Sequence, residues 1–321
     1  MFSSKLHLVI GGAGFIGVNL CDLLTKSGAK VLCVDDYSNS VSQKKIVGLN
    51  YKIIKGDINN INIQRKIVKL VNLSDSKEIL VWHLAANSDI QKSAYFPELD
   101  IDKTLKTSLS VIKLCSEFDS PRVVFASSSA IYGESSNHLN ENDSFMTPVS
   151  SYGIAKLASE LFFRKSLDYE LQGLFIFRFP NVIGSPSTHG VLHDWKVKIK
   201  KNPKTLEVLG DGSQKKQFLH VKTLLKMMFF VIENSQNNLN VYNLSNNDDG
   251  LTIKDLSQLF QVKSLSDFDI KFGENSIGWR GDINSYKLDV TKLGQLGWKF
   301  DSNSKLEATM AIDELFNRHT W

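Results

Sequence analysis

Leu6-His7-Leu8-Val9-Ile10-Gly11-Gly12-Ala13-Gly14-Phe15-Ile16-Gly17 decides the fold class. A mostly apolar run enters a glycine cluster, after which Val18, Leu20, Leu23 and Leu24 recur at helical spacing, so the stretch reads as strand, glycine turn and helix. The glycines permit a tight turn and close backbone approach. A pyrophosphate can then sit on the helix N-terminus, facing unpaired N–H groups and the positive end of the dipole. Three glycines in a turn are weak evidence alone, but the next strand strengthens them. This second apolar run, residues 31–34, ends in Asp35-Asp36. An acid about 20 positions past the glycines accepts hydrogen bonds from the adenosine ribose hydroxyls and repels a 2′-phosphate, favouring NAD over NADP. Acids at a strand end also suit an ordinary turn, but the preceding glycines favour the nucleotide.

Further α/β units extend outward from this one. Residues 51–54 are strand-like and lead into Gly56-Asp57-Ile58, after which Ile61, Ile63, Ile67, Val68 and Val71 mark a helix. Residues 79–82 form a buried strand ending in His83-Leu84-Ala85-Ala86-Asn87, where small residues leave room for a cofactor to cross the strand end. A lone histidine such as His83 is more often structural. Residues 97–118 read as a long amphipathic helix, and residues 122–125 as a strand capped by Ala126-Ser127-Ser128-Ser129-Ala130-Ile131-Tyr132-Gly133. This alternation predicts an α/β fold built on a doubly wound parallel (Rossmann) sheet, whose ligands bind at the carboxyl ends of the strands. Residues 1–180 are expected to form the NAD-binding domain. Residues 181–321 are expected to form a smaller mixed α/β substrate domain, with some segments returning to the sheet.

Ser150-Ser151-Tyr152-Gly153-Ile154-Ala155-Lys156 opens a helix on which Tyr152 and Lys156 share a face. A phenol is a poor base. An ammonium roughly 4 Å away, at an effective dielectric of about 20, contributes roughly 4 kcal/mol, about three pKa units, enough to bring Tyr152 towards neutral pH. Taken alone, such a pair is more often a surface contact. A strand-end serine facing this helix gives it chemical meaning, because its hydroxyl can hydrogen-bond a substrate hydroxyl and share the proton with the phenol.

With 321 residues, 42% hydrophobic and 22% charged, the chain has the profile of a soluble globular protein of one large or two fused domains. Cys21, Cys33 and Cys115 are odd in number and at no metal-ligand spacing, which implies neither a disulfide framework nor a zinc site and fits a cytoplasmic protein. No signal peptide or membrane span is read. The net charge of +4 is slight, the lysines at 196, 198, 200, 201 and 204 read as a solvated helix face, and no dense basic patch with aromatic partners suggests nucleic acid.

Gly11 to Gly17, Asp35, Gly56-Asp57, His83 to Ala86, Ser127 to Gly133 and Tyr152 with Lys156 resemble, in order and spacing, the extended short-chain dehydrogenase/reductase superfamily. Within it they are most similar to the nucleotide-sugar epimerases of the UDP-glucose 4-epimerase type. The likeness continues through Arg178-Phe179-Pro180-Asn181, Leu209 to Gln214, Phe218 to Val221 and Leu288 to Trp298, covering nearly the whole chain.

The resemblance implies the site residues. Gly11, Gly14, Phe15, Ile16 and Gly17 would hold the NAD pyrophosphate, Asp35 and Asp36 the adenosine ribose, and Asp57 with Ile58 the adenine. Leu84, Ala85, Ala86 and Pro180 would line the cofactor path. Ser128, Tyr152 and Lys156 would be catalytic, with Lys156 also binding the nicotinamide ribose. Ser128, Ser129, Asn181, Val191, Leu192, Lys216 and Arg280 would meet the nucleotide sugar. Ser129 and Ala130 stand where related 4,6-dehydratases carry an acid, which favours epimerisation over elimination. Gln214-Lys215-Lys216-Gln217-Phe218 replaces a usual Gln-x-Arg-Asp-Phe, exchanging a bidentate arginine for a point charge. The expected activity is 4-epimerisation of a UDP-sugar through a 4-keto intermediate. A nucleotide-sugar reductase or dehydrogenase, a 4,6-dehydratase and a non-catalytic NAD-sensing regulator are the alternatives. Residues 97–118 and 151–168 carry apolar stripes broad enough to pair with a second copy or to be covered within the monomer, and the resemblance implies that they form a homodimer interface.

Overall fold

In the computed structural model, residues 5–40, 52–74, 76, 78–134, 138–143 and 145–316 are described. Seven strands build the central sheet: β1 (Leu6–Ile10), β2 (Lys30–Asp35), β3 (Lys52–Lys55), β4 (Ile79–His83), β5 (Arg122–Ala126), β6 (Gly173–Arg178) and a last one, Leu239–Asn243. Every neighbouring pair is parallel, and the order across the sheet is Leu239–Asn243, β6, β5, β4, β1, β2, β3. The chain leaves β1 in one direction and returns at β4 on the other side. The crevice between those two carboxyl ends is the switch point at which such sheets bind ligands.

Strand alternation explains why both faces are covered. Val9 packs into one core with Leu20, Leu24, Trp82, Leu224 and Met228, whereas Leu8 and Ile10 face a second with Val34, Ile67, Val111 and Phe163. The first core is roofed by α1 (Phe15–Lys26) and by Val221–Asn234, the apolar run that carries Lys226. The second is roofed by α2 (Ile61–Asn72) and by the helical stretch 98–115. That stretch is not one uniform helix. After α3 (Ile90–Ser93), a short turn α4 (Glu98–Asp100) runs into a π-helical turn, Ile101–Leu105, and then into α5 (Lys106–Cys115). The helix α6 (Ser151–Ser166) packs beside them.

A smaller core lies on the carboxyl side of the sheet. Here α7 (Val191–Lys201) and the helices Ile253–Ser264 and Ser304–Phe316 enclose Trp195, Leu206, Phe218, Phe260 and Ile312. The lysines of α7 do not form a uniformly solvated face: Lys196 donates to Leu315 O at 2.6 Å and Lys198 to Glu207 O at 2.8 Å. The three cysteines are buried and free of disulfides. Among the described residues no helix is long and apolar enough to cross a membrane.

Candidate active site

One cleft of about 1200 Å³ runs along the carboxyl ends of the strands, between the sheet and the smaller core. Every candidate site residue read from the sequence lines it except Arg280, which is exposed and outside the lining. Its neighbours Gly278, Trp279, Gly281 and Asp282 line the cleft in its place.

The glycine turn is built for a close ligand. A Cβ on Gly17 would lie 2.2 Å from Gly11 O, so the helix start must be bare there to pack on the turn. A Cβ on Gly14 would meet only Gly11 O, at 3.5 Å, so this side stays open to the cleft. No side chain caps α1 at Gly14 and no acid sits in its first turn, which leaves the helix N-terminus available to an anion. The residues therefore fit a dinucleotide pyrophosphate. Asp35 braces the turn: its Oδ2 accepts from Ala13 N at 2.9 Å and its Oδ1 from Tyr37 N at 2.7 Å. Burial raises its pKa, against the lowering effect of those amides. Asp36 lies in a half-exposed ion pair with Lys103 of the π turn at 2.8 Å, and despite burial that partner lowers its pKa.

At the other end of the cleft, the serine turn and α6 meet. Ser128 caps the 3₁₀ turn Ser129–Ile131, its Oγ accepting from Ala130 N at 3.1 Å. Ser150 caps α6 in the same way, accepting from Gly153 N at 3.1 Å. Gly153 is why the two turns touch, since a Cβ there would stand 2.4 Å from Ala130 O. With the helix seated, the Ser128 hydroxyl comes close enough to the Tyr152 phenol to favour the phenolate. Lys156 is 2% exposed, donates to Ala126 O at 2.6 Å, and holds its Nζ 5.7 Å from the Tyr152 ring centroid.

The electrostatics differ from the expectation of a simply acidified tyrosine. Desolvation pushes the Tyr152 pKa well up, Asp100 adds to the rise, and the nearby Ser128 hydroxyl only partly opposes it. Burial also pushes Lys156 down to about 7, opposed by Glu160 and Asp100. Desolvation dominates both shifts: Lys156 is buried and Tyr152 is half-buried at the cleft wall.

Glu160, one turn beyond Lys156, belongs to no motif in the sequence. It accepts from Arg178 through Nε at 3.0 Å and Nη2 at 2.7 Å, and from Ser127 Oγ at 2.5 Å. Arg178 continues to Tyr132 Oη at 2.9 Å, which donates to Asn243 Oδ1 at 2.7 Å.

Across the cleft, Lys216 is mostly buried and paired with Asp282 at 2.7 Å; it also donates to Ile283 O. Tyr286, another residue outside every motif, receives a hydrogen bond from Asn181 Nδ2 at 3.3 Å. Burial holds its phenol at about 12. Val191 and Leu192 begin α7 at the cleft wall.

A glycine-turned parallel sheet with a serine, a tyrosine and a lysine at one strand end defines a dinucleotide-dependent enzyme of the short-chain dehydrogenase type. Residues 7–245 match the NAD dependent epimerase/dehydratase family, and the chain belongs to it, with NAD as its cofactor. The chain is 26% identical over 303 residues to a putative UDP-glucose 4-epimerase of Methanocaldococcus jannaschii, covering 91% of this chain and 92% of that protein. It is 28% identical over 312 residues to a UDP-N-acetyl-alpha-D-glucosaminuronate decarboxylase of Bacillus cytotoxicus, covering 91% of each. The crystal structure of a UDP-galactose 4-epimerase superposes with a TM-score of 0.84 at 26% identity, over 97% of this chain and 98% of that one.

Proposed function

We propose that the protein is an NAD-dependent nucleotide-sugar 4-epimerase acting on a UDP-sugar. The observation that carries this reading is the meeting of Ser128, Tyr152 and Lys156 at one end of the cleft, on a turn that continues as Ser129 and Ala130 rather than as an acid. The bound nicotinamide supplies a hydride acceptor that can return what it takes. Tyr152 accepts the proton of the sugar 4-hydroxyl, and Ser128 holds that hydroxyl in line with the phenol. Lys156, fixed by the Ala126 carbonyl, stabilises the phenolate as it forms. Desolvation raises the proton affinity of Tyr152, so its action as a base depends on the positive charge of Lys156 and of the oxidised cofactor countering that rise. The serine turn places no carboxylate to eliminate water across C5 and C6.

Asn181, Val191, Leu192 and Lys216 line the nucleotide side of the cleft. Lys216 would meet a diphosphate only by sharing its charge with Asp282. Arg280 would have to swing in from the surface to act as a clamp. The exposed Ile101, Ile154, Leu161 and Phe162 form the apolar surface on which we base a homodimer.

A 4-ketone next to a C5 carboxylate also loses carbon dioxide readily, so UDP-uronic acids belong in the same test as neutral sugars. The experiment is incubation with UDP-, dTDP-, GDP- and CDP-sugars, products being resolved by NMR. A C4-inverted UDP-sugar formed with no net consumption of NAD is the expected result, whereas turnover of no UDP-sugar refutes the reading.

A further inference from the structure

The π turn Ile101–Leu105 takes no part in the proton transfer, yet its Lys103 lines the cleft. A wide turn inside a helix spoils the regular bonding ladder, and such turns are frequent beside ligand sites, where they re-aim side chains. This one carries neighbouring residues to different strand ends. Lys103 Nζ donates to Asp36 Oδ2 at 2.8 Å, just past β2. Thr104, fully buried, accepts from Asn87 N at 3.0 Å, just past β4. Asn59, which follows β3, donates to Asp102 O at 3.5 Å and to Thr107 Oγ1 at 3.4 Å, and accepts from Ser110 Oγ at 2.7 Å.

Strand order gives these bonds their meaning. In the sheet β1 lies between β2 and β4, and its carboxyl end runs into the glycine turn. A contact from the loop after β2 to the chain after β4 therefore reaches past the end of β1, where the cofactor channel runs. Two contacts do so: Lys103 with Asp36, and Asn39 Nδ2 with Ser88 Oγ. All four residues line the cleft. Asp36 is committed to this bridge, because its Oδ1 accepts from Ser38 N at 2.9 Å and from Ser38 Oγ at 2.6 Å while its Oδ2 takes the lysine. Asp102, the acid next to Lys103 in the chain, turns to Lys106 at 3.9 Å. Against the effect of burial the bond lowers the Asp36 pKa, and it raises that of Lys103, so both partners keep their charge.

We propose that Lys103 is a positioning residue for the cofactor: its pair with Asp36 straps the adenosine end of the NAD channel, so that the dinucleotide enters and leaves only as the pair parts. The inference rests on NAD as the cofactor and not on the epimerase reading. Such a strap slows exchange in both directions without adding a contact to the dinucleotide itself. A direct contact would instead slow release alone. The two roles are therefore separable by kinetics.

The test follows the cofactor and needs no sugar. Protein loaded with NADH is chased with excess NAD, and the loss of NADH fluorescence gives the release rate; mixing NADH with NAD-free protein gives the association rate. In Lys103→Met both rates should rise together, about two- to fivefold as expected for a half-exposed ion pair, with Kd nearly unchanged. Lys103→Arg, which keeps the charge, should retain slow exchange. In an Asp36→Asn background, Lys103→Met should change neither rate further, since the partner is already gone. Raising potassium chloride from about 0.05 M to about 0.5 M should quicken release from the unmodified protein by screening the pair, and do so less in Lys103→Met. Unchanged rates in Lys103→Met, faster release with unaltered association, an equal gain in the Asp36→Asn background, or the same salt response in both proteins would each overturn the proposal. Because none of these reads turnover, a failure here is distinct from a failure of the epimerase assignment.

Discussion

Replacing Lys156 by methionine should stabilise the NAD-free protein, and by an amount that depends on pH. The Lys156 amine titrates at about 7 in the folded chain against an ordinary 10.5, a gap worth about 5 kcal/mol. A lysine whose pKa is depressed by folding weakens the fold wherever the unfolded chain holds the proton more tightly. Below pH 7 both states are protonated and the whole cost of burying the ammonium is present. From 7 to 10.5 the folded state has lost its proton while the unfolded one keeps it, so stability recovers as pH rises. Between about pH 6 and about pH 9, some 2.5 to 3 kcal/mol of that cost should disappear from the wild type. Methionine has similar length and no charge to desolvate. It also abandons the bond to Ala126 O, which subtracts about 1–3 kcal/mol at every pH. The informative quantity is therefore the pH dependence of the difference, measured by urea unfolding of both proteins without NAD, since bound cofactor would add its own stabilisation. A difference that shrinks by about 2 kcal/mol or more across that range supports a buried, strained ammonium; one that is flat with pH refutes it.

Tyr152→Phe should cut turnover by a factor of roughly 10³ or more while leaving bound NAD, released by acid and quantified by absorbance, unchanged. Gly153→Ala improves intrinsic helix propensity by about 1 kcal/mol, yet the added Cβ meets Ala130 O at 2.4 Å, so thermal unfolding should show net destabilisation and turnover should fall. A stabilised, fully active Gly153→Ala would mean that α6 need not touch the serine turn. Asp35→Ala removes the acceptor of the Ala13 and Tyr37 amides and should weaken NAD by about tenfold or more while narrowing the preference over NADP, both read by calorimetric titration.

Local features are the ones legible in the sequence. The glycine turn, the acid at the end of β2 and the tyrosine and lysine one helical turn apart each place their groups by short-range geometry, and all of them line the cleft. The π turn within residues 98–115 is not legible, because the apolar spacing there is equally compatible with an unbroken helix. Long-range partners are also hidden. Nothing at Glu160 announces Arg178, and nothing at Lys216 announces Asp282, because each pairing is made by chain crossings of 18 and 66 residues. The sign of the Tyr152 shift escapes the sequence for the same reason: spacing on a helix reports the neighbour's charge but not the water that the fold removes from both.

The support behind the catalytic pair also explains how the site tolerates so costly a lysine. Glu160 and Arg178 are buried together, and Ser127, Tyr132 and Asn243 extend their bonds from β5 to the last strand of the sheet. Such a pair adds little net stability over an apolar substitute, yet breaking it from one side leaves an uncompensated charge at a cost of about 3–5 kcal/mol. Its value here is geometric. It fastens the middle of α6 to β6 while Ser150 and Gly153 fasten its start to the serine turn, so Lys156 cannot move outward to find water. An amine that cannot rehydrate must stay beside Tyr152, and that constraint turns an unfavourable burial into a fixed electrostatic partner for the phenol.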